Sequence, residues 1–491
     1  MDNSFSISTY PDAGKINKQL DELISKPIYS IKSEALKKYE DEYYDRKCLK
    51  SKDMINKAKD LIPGGVQHNL AFNHPFPLVF TKAEGAYLYD IDSNKYYDFL
   101  QAGGPTVLGS NPAEVRTKVI ELLNECGPST GLFHEYEYKI AKKISDSMKN
   151  VEMFRMLGSG TEACMAAIRI ARLVTGSKNI VKMGGAYHGW SDQLAYGIRI
   201  PGSKWTQASG VPRYVFKHIQ EFFPNDLNDL ERTLKMNKLH GSTAAVIIEP
   251  LGPESGTTPL DKDFNKGVES LCRRYGALLI FDEVVTGFRV GMAGAQGYFG
   301  VSPDLTIFGK VIAGGYPGAG GIGGKKEYMK YLSAGIAGGT KQKKALVGGT
   351  LAANPLSCTA GYYTLCEIER TNAVQKSGLM GDRLTAGLEK LIEKYKLPFV
   401  AFNQGSICHL ETVGTTHFFI DWKKPWTISD VIKKTSLRKK EMEHMGAAYM
   451  AEGIITLAGS RLYTSAAYDE DMIDDVLNRF ERVFENIGII E

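Results

Sequence analysis

Several features that would place this chain in a simple functional class are scarce or missing. No run approaches the roughly 20 apolar residues of a membrane-spanning helix. The opening stretch "MDNSFSISTYPDAGK" lacks a basic segment followed by an apolar core, so no signal peptide is read. Together these predict a cytoplasmic protein without membrane attachment. Charge of one sign is missing too: 60 basic against 56 acidic residues leave +4, which argues against nucleic acid or an anionic surface as partner. Runs such as "KQKK" read as solvated loop or helix faces. The seven cysteines form no CxxC pair and the nine histidines no HxxxH spacing, so no metal centre is expected. An odd, scattered set of cysteines fits reduced thiols.

Glycine, by contrast, is plentiful, at 51 of 491 residues where roughly 7% is usual. It clusters at Gly314 to Gly324, Gly335 to Gly339 and Gly348 to Gly349, where the backbone can approach a ligand closely.

The order of elements predicts an α/β fold. Helical periodicity in "INKQLDELI" and "SEALKKYEDEYYDRK" suggests an N-terminal helical extension over residues 1–50, packed outside the main body. Residues 51–111 contain "PLVFTKAEGAYLYDIDSNKYYDFL", which reads as antiparallel strands turning at Asp92 to Asn94. Over 112–355, β-rich runs ("MFRML", "NIVKM", "AAVIIEP", "ALLIFDE", "DLTIFGK") alternate with helical segments such as "TEACMAAIRIARLV". That alternation implies right-handed crossovers and a mostly parallel sheet in a large domain. Residues 356–491 start with a long helix, continue through strands at "FVAFN" and "HFFIDW", and end in a helix, a smaller α+β domain shared with 51–111.

Ligands of open α/β sheets bind off the carboxyl ends of the strands. Four features follow such ends: Asp282 after "ALLIF", "GSGTEA" after "MFRML", "GGAYHGW" after "NIVKM", and Lys310 after "DLTIFG". Each has an ordinary explanation. Asp282 could cap a turn, Tyr187 and His188 could be core residues, and Lys310 could snorkel. "GSGTEA" fits the dinucleotide fingerprint, but the acid wanted about 20 residues on is replaced by Lys182, Met183 and Gly184. Taken together they match pyridoxal phosphate. That cofactor needs a lysine for an imine, an acid at the pyridine nitrogen, a phosphate cup at a helix N-terminus (Ser159, Gly160, Thr161) and an aromatic face. Lys310, freed by substrate amine, would then be the base that moves the proton.

"EPLGPESGTTP", the segment from Leu278 to Gly324, and "GGTLAANPLSCTAG" resemble the class III pyridoxal-phosphate aminotransferases, nearest the glutamate-1-semialdehyde aminomutase-like branch. "PGGVQHNLAF" and "LAGSRLYTSAAYDEDM" extend the resemblance towards both ends. It implies a fold-type-I transferase, a homodimer with shared active sites, and amino-acid and oxo-acid substrates. It assigns Lys310 as the imine lysine, Asp282 as the pyridinium partner and Tyr187 as the stacking ring with His188 beside it. Val284 would lie against the cofactor, and Thr350 would reach the phosphate of the neighbouring subunit. Glu249 and Glu254 would line the same cavity.

Two departures bear on the reaction. "PGGVQHNLAF" lacks the arginine that the aminomutase branch carries there, leaving His68 and Asn69 to shape the substrate pocket. "GSRLYTS" lacks that branch's glutamate and offers Arg461, either a fork for a substrate carboxylate or a surface ion pair. "KQKKA", ahead of Val347, lengthens a loop that could gate substrate entry. The expected function is an aminotransferase, with β- and ω-amino acids among its candidate substrates. The alternatives are an aminomutase or an amino-acid racemase or epimerase on the same fold, and a cofactor-retaining regulatory protein without turnover.

Overall fold

The apolar runs do become strands, and those of "NIVKM", "AAVIIEP", "ALLIFDE" and "DLTIFGK" are buried on both faces, as their lack of period-2 alternation requires. In the computed structural model, which describes residues 4–333 and 343–490, they form one seven-stranded sheet. Its members are β1 (Met153–Leu157), β2 (Asn179–Met183), β3 (Ile219–Phe222), β4 (Thr243–Ile248), β5 (Leu278–Asp282), β6 (Leu305–Gly309) and β7 (Gly320–Gly324). The spatial order is β1-β7-β6-β5-β4-β2-β3. Neighbours from β6 through β5, β4 and β2 to β3 are parallel, and only β7 runs antiparallel to both of its partners.

The longer helices of this unit are α1 (Ala113–Glu125), α2 (Glu135–Ser147), α3 (Gly160–Thr175), α4 (Leu227–Leu239), α5 (Phe264–Tyr275) and α6 (Pro355–Thr371). The small side chains of α3 (Ala163, Ala166, Ala167, Ala171) pack into one core with Ile180, Ile247, Ile280, Ile307 and Ile322 of the sheet. Each such branched side chain removed from water contributes about 1.5–3 kcal/mol.

"GGIGG", read from sequence as part of a glycine cluster that lets the backbone approach a ligand, is the buried strand β7. Close approach explains its composition. A Cβ on Gly321 would sit 2.5 Å from the ring of Phe154, and one on Gly320 would collide with the backbone of Ser159. β3 also went unread.

The chain divides into two units by its internal contacts. The first holds Ala113–Val374 and Phe419–Pro425, so it runs beyond the boundary expected at residue 355 because α6 packs on α1 and α2. The second holds Ser6–Pro112, Gln375–Phe418 and the chain from Trp426 onward. Residues 6–50 are woven into this unit rather than packed outside it. Ile28–Ile31 pairs with Ile487–Ile490, and Tyr44 and Cys48 are fully buried with Phe76 and Tyr96. The hairpin turning near Asp92 forms as expected, with Tyr87–Asp90 antiparallel to Lys95–Asp98. "HFFIDW" is not a strand: Ile420 N–H donates to Pro201 O (2.9 Å) and Trp422 Nε1 to Gly202 O (2.7 Å), pinning it as coil. Within "KQKKA", Lys341 and Gln342 lie outside the described residues. Among the described residues no helix is long and apolar enough to cross a membrane.

Candidate active site

β5 and β6 lie side by side and parallel, with Asp282 in register with Ile307, so their carboxyl ends bring Asp282 and Lys310 to one edge. Asp282 is buried. Its Oδ1 accepts from Val284 N–H (3.0 Å), and its Oδ2 accepts from His188 Nδ1 (2.7 Å). Cys164 Sγ of α3 stands 3.9 Å from the same oxygen. Burial pushes the His188 imidazole below its ordinary value against the pull of Asp282. A neutral ring with its proton on Nδ1 fits that bond. The other ring nitrogen, Nε2, is buried and has no hydrogen-bond partner in the structure.

The turn from β1 into α3 carries Ser159, Gly160 and Thr161. Ser159 is extended and its Oγ accepts from Glu162 N–H (3.3 Å), while the Glu162 carboxylate accepts from Gly158 N–H (2.8 Å). This reciprocal capping fixes the start of α3, where amide N–H groups and the helix dipole favour an anion. Val284 fills the space between that turn and β6. A Cβ on Gly160 would come within 2.9 Å of one Val284 methyl, and a Cβ on Gly309 within 2.8 Å of the other. Val284 therefore abuts both the cup and the residue before Lys310. Lys310 opens a short 3-10 turn and is half-buried. Its φ of +49° is a left-handed conformation that costs a non-glycine residue about 1–2 kcal/mol.

Glu249, one residue past β4, organises the opposite wall. Its Oε1 accepts from Tyr187 N–H (2.9 Å) and Glu254 N–H (3.0 Å), and its Oε2 from Ser255 N–H (2.8 Å). Those bonds hold Glu254 and Ser255 at φ of +52° and +64°. Burial, with Asp282 and Glu254 nearby, pushes the Glu249 carboxyl up to about 8. The Tyr187 ring is half-exposed, as a stacking face needs to be. Glu254 lies 3.9 Å from Arg199 Nε.

His68, Asn69 and Arg461 belong to the second unit. His68 Nδ1 accepts from Leu70 N–H (3.1 Å). Arg461 begins the strand Arg461–Tyr463 opposite His409. Near it the buried Glu411 carboxyl is pushed up to about 7 by burial, with Arg461 pulling it down. Thr350, in the first unit, is exposed on the turn leading to α6.

Sequence reasoning missed Lys182, Arg199 and Glu283. Lys182 is fully buried in β2 and hydrogen-bonded to three backbone carbonyls; burial brings it down to about 8, against the pull of Glu221 and Glu249. A lysine inside the apolar run "NIVKM" was the available signal. Glu283 accepts from Thr286 Oγ1, Ala295 N–H and Gln296 N–H, and so fixes the chain after β5. Among the described residues no cluster of His, Cys, Asp or Glu could hold a metal ion.

This donor set suits pyridoxal 5'-phosphate. A capped helix start can take the phosphate, a buried carboxylate held by a neutral histidine can face a pyridinium, a half-exposed tyrosine can cover a ring, and an amine stands just past the end of the neighbouring strand. Comparison with known proteins agrees. Residues 70–461 match the family model described as aminotransferase class-III. The glutamate-1-semialdehyde 2,1-aminomutase of Legionella pneumophila (strain Paris) is 38% identical over 381 residues, covering 75% of this chain and 86% of that protein. An omega-transaminase from Sphaerobacter thermophilus superposes with a TM-score of 0.78 at 25% identity, covering 90% of this chain and 99% of the other. A glutamate-1-semialdehyde-aminomutase from Pseudomonas aeruginosa PAO1 shares the fold, with a TM-score of 0.76 at 19% identity over 98% of this chain and all of the other. The chain therefore belongs to the class III aminotransferases, as an enzyme of the pyridoxal-phosphate-dependent aminotransferase and aminomutase type.

Proposed function

We propose that this enzyme moves an amino group between an amino acid, including β- or ω-amino acids, and an oxo acid. The observation that carries this reading is the Asp282–His188 pair at the end of β5 beside Lys310 at the end of β6. Bound pyridoxal phosphate supplies a carbonyl for amines and a sink for the electron pair left when a substrate proton departs. Asp282 would hold a positive charge at the pyridine nitrogen, and His188, bonded to its Oδ2, fixes the orientation of that carboxylate. Lys310 Nζ would be the amine that holds the cofactor carbonyl and, when free, the base that moves the substrate proton. Ser159, Gly160 and Thr161 would hold the phosphate, and Tyr187 and Val284 would lie against the ring. Arg461 is the candidate for the substrate carboxylate, with His68, Asn69 and Glu254 shaping the pocket.

We further propose a cytoplasmic homodimer in which Thr350 of one copy completes the phosphate site of the other. The exposure of Thr350 on the turn before α6 supports this. Light scattering, and loss of cofactor affinity in Thr350→Ala, check it.

Intramolecular amino-group migration is the second reading, favoured by the 38% identity to an aminomutase. To separate them, the cofactor-saturated protein is mixed with single amino acids and no oxo acid. Transamination bleaches the yellow protein and releases an oxo acid in stoichiometric amount. Retained colour with every donor, together with isomerisation of a substrate, would establish the migration instead.

A further inference from the structure

Lys182 is the least expected charge in the large unit. It is the penultimate residue of β2, fully buried, on a strand whose every residue is buried. Its Nζ donates to Ala186 O (2.8 Å), Tyr196 O (2.6 Å) and Gly197 O (3.4 Å). An ammonium has three N–H donors, and here three carbonyls take them. Its cross-strand neighbour on β3 is Glu221, whose oxygens accept instead from Gly202 N–H (3.0 Å) and Lys204 N–H (3.2 Å). The other groups facing it are Glu249 and Glu254 beyond β4 and Cys164 on α3. None of these is its hydrogen-bond partner: the ammonium is spent on backbone.

The three carbonyls belong to the two limbs of one loop. Ala186 lies on the outgoing limb, immediately before Tyr187 and His188, whereas Tyr196 and Gly197 lie on the returning limb. Two backbone bonds, Gly185 N–H to Gly197 O and Arg199 N–H to Gly185 O (both 2.9 Å), lace the same limbs together. The loop thus encloses the ammonium, and its outgoing limb carries Tyr187 and, two residues past Ala186, His188, which bonds Asp282.

We propose that Lys182 is a positioning residue: its ammonium clasps the loop from Gly184 to Gly197 and so sets where Tyr187 stands and how His188 meets Asp282. The inference rests on the pyridoxal-phosphate reading only for its consequence at the cofactor, since the clasp exists without it.

The test compares the full-length wild type with Lys182→Met, which keeps the stem and removes the donors, and Lys182→Gln, which keeps two. Amide hydrogen exchange is followed by peptide in each protein, with and without pyridoxal phosphate. In Lys182→Met, amides of residues 184–197 are expected to exchange at least tenfold faster, with β5 and β6 unchanged. The cofactor dissociation constant should rise at least tenfold with an altered visible spectrum, and Lys182→Gln should fall between. A folded Lys182→Met with wild-type exchange in the loop and wild-type cofactor affinity overturns the proposal. If that variant does not fold, the cofactor-free wild type decides alone. Protection of Gly185 and Gly197 amides comparable to that of β2 is expected, and exchange at the rate of an open loop overturns it. A wild type that binds no pyridoxal phosphate would defeat the functional reading while leaving the exchange result to judge the clasp.

Discussion

Lys310 stands in a left-handed backbone conformation at the end of a buried strand, and strain of this kind persists only where the surrounding structure enforces it. Replacing it with alanine removes both the amine that holds the cofactor carbonyl and the base. Turnover in Lys310→Ala should fall by more than the 10²–10⁴-fold of a general base alone. Steady-state assay with the best donor checks this, and a near-normal rate would sink the mechanism. Asp282→Asn keeps the shape of the site and the bond to His188 within reach but removes the charge. It should retain bound cofactor and lose on the order of 10²–10³-fold in kcat, read by parallel absorbance and rate measurements. These positions were legible from sequence because each residue follows an apolar run that had to be a buried strand. The partners were not legible. That His188 donates to Asp282, or that Lys182 is spent on carbonyls, depends on side-chain directions across strands distant in the chain.

Among the elements, parallel strands bounded by amphipathic helices were read correctly, from "MFRML" to "DLTIFG". Their β-branched composition and helix spacing are local signals. β7 was hidden because its composition answers to its neighbours rather than to strand propensity. Glycine there makes room for Phe154 and for the turn at Ser159. Gly321→Ala should therefore destabilise the large unit by about 1–3 kcal/mol through overpacking, seen as a lower urea midpoint with an unchanged slope. "HFFIDW" misled in the opposite direction: its aromatic and β-branched residues look strand-like, but Phe419 is exposed and Trp422 spends its indole N–H on Gly202.

For the molecule as a whole, several buried carboxyls share one sign of pH dependence. Burial raises Glu411 from 4.5 to about 7 and Glu249 to about 8, and Asp98 is raised to about 6. A folded-state value above the unfolded one means the stabilisation is complete below about pH 4–4.5 and is lost as pH rises through the folded value. Stability should accordingly decline from about pH 4.5 to 8 through these groups. Glu411→Gln carries no such proton. Its stability relative to wild type should climb as pH rises from 4.5 to 7, reaching a difference of about 3 kcal/mol at 1.36 kcal/mol per pKa unit. Denaturant unfolding of both proteins across that range decides it; parallel curves would show that Glu411 titrates normally.

The glycine-built strand β7 has a bearing on how this protein can vary. Gly320 abuts the Ser159 turn and Gly309 abuts Val284, so side-chain-bearing substitutions there press on the cofactor's supports from behind. A saturation mutagenesis screen scored for activity should show an intolerant stripe across Gly320, Gly321, Gly323 and Gly324, as severe as at Asp282. None of those residues has a side chain with which to do chemistry.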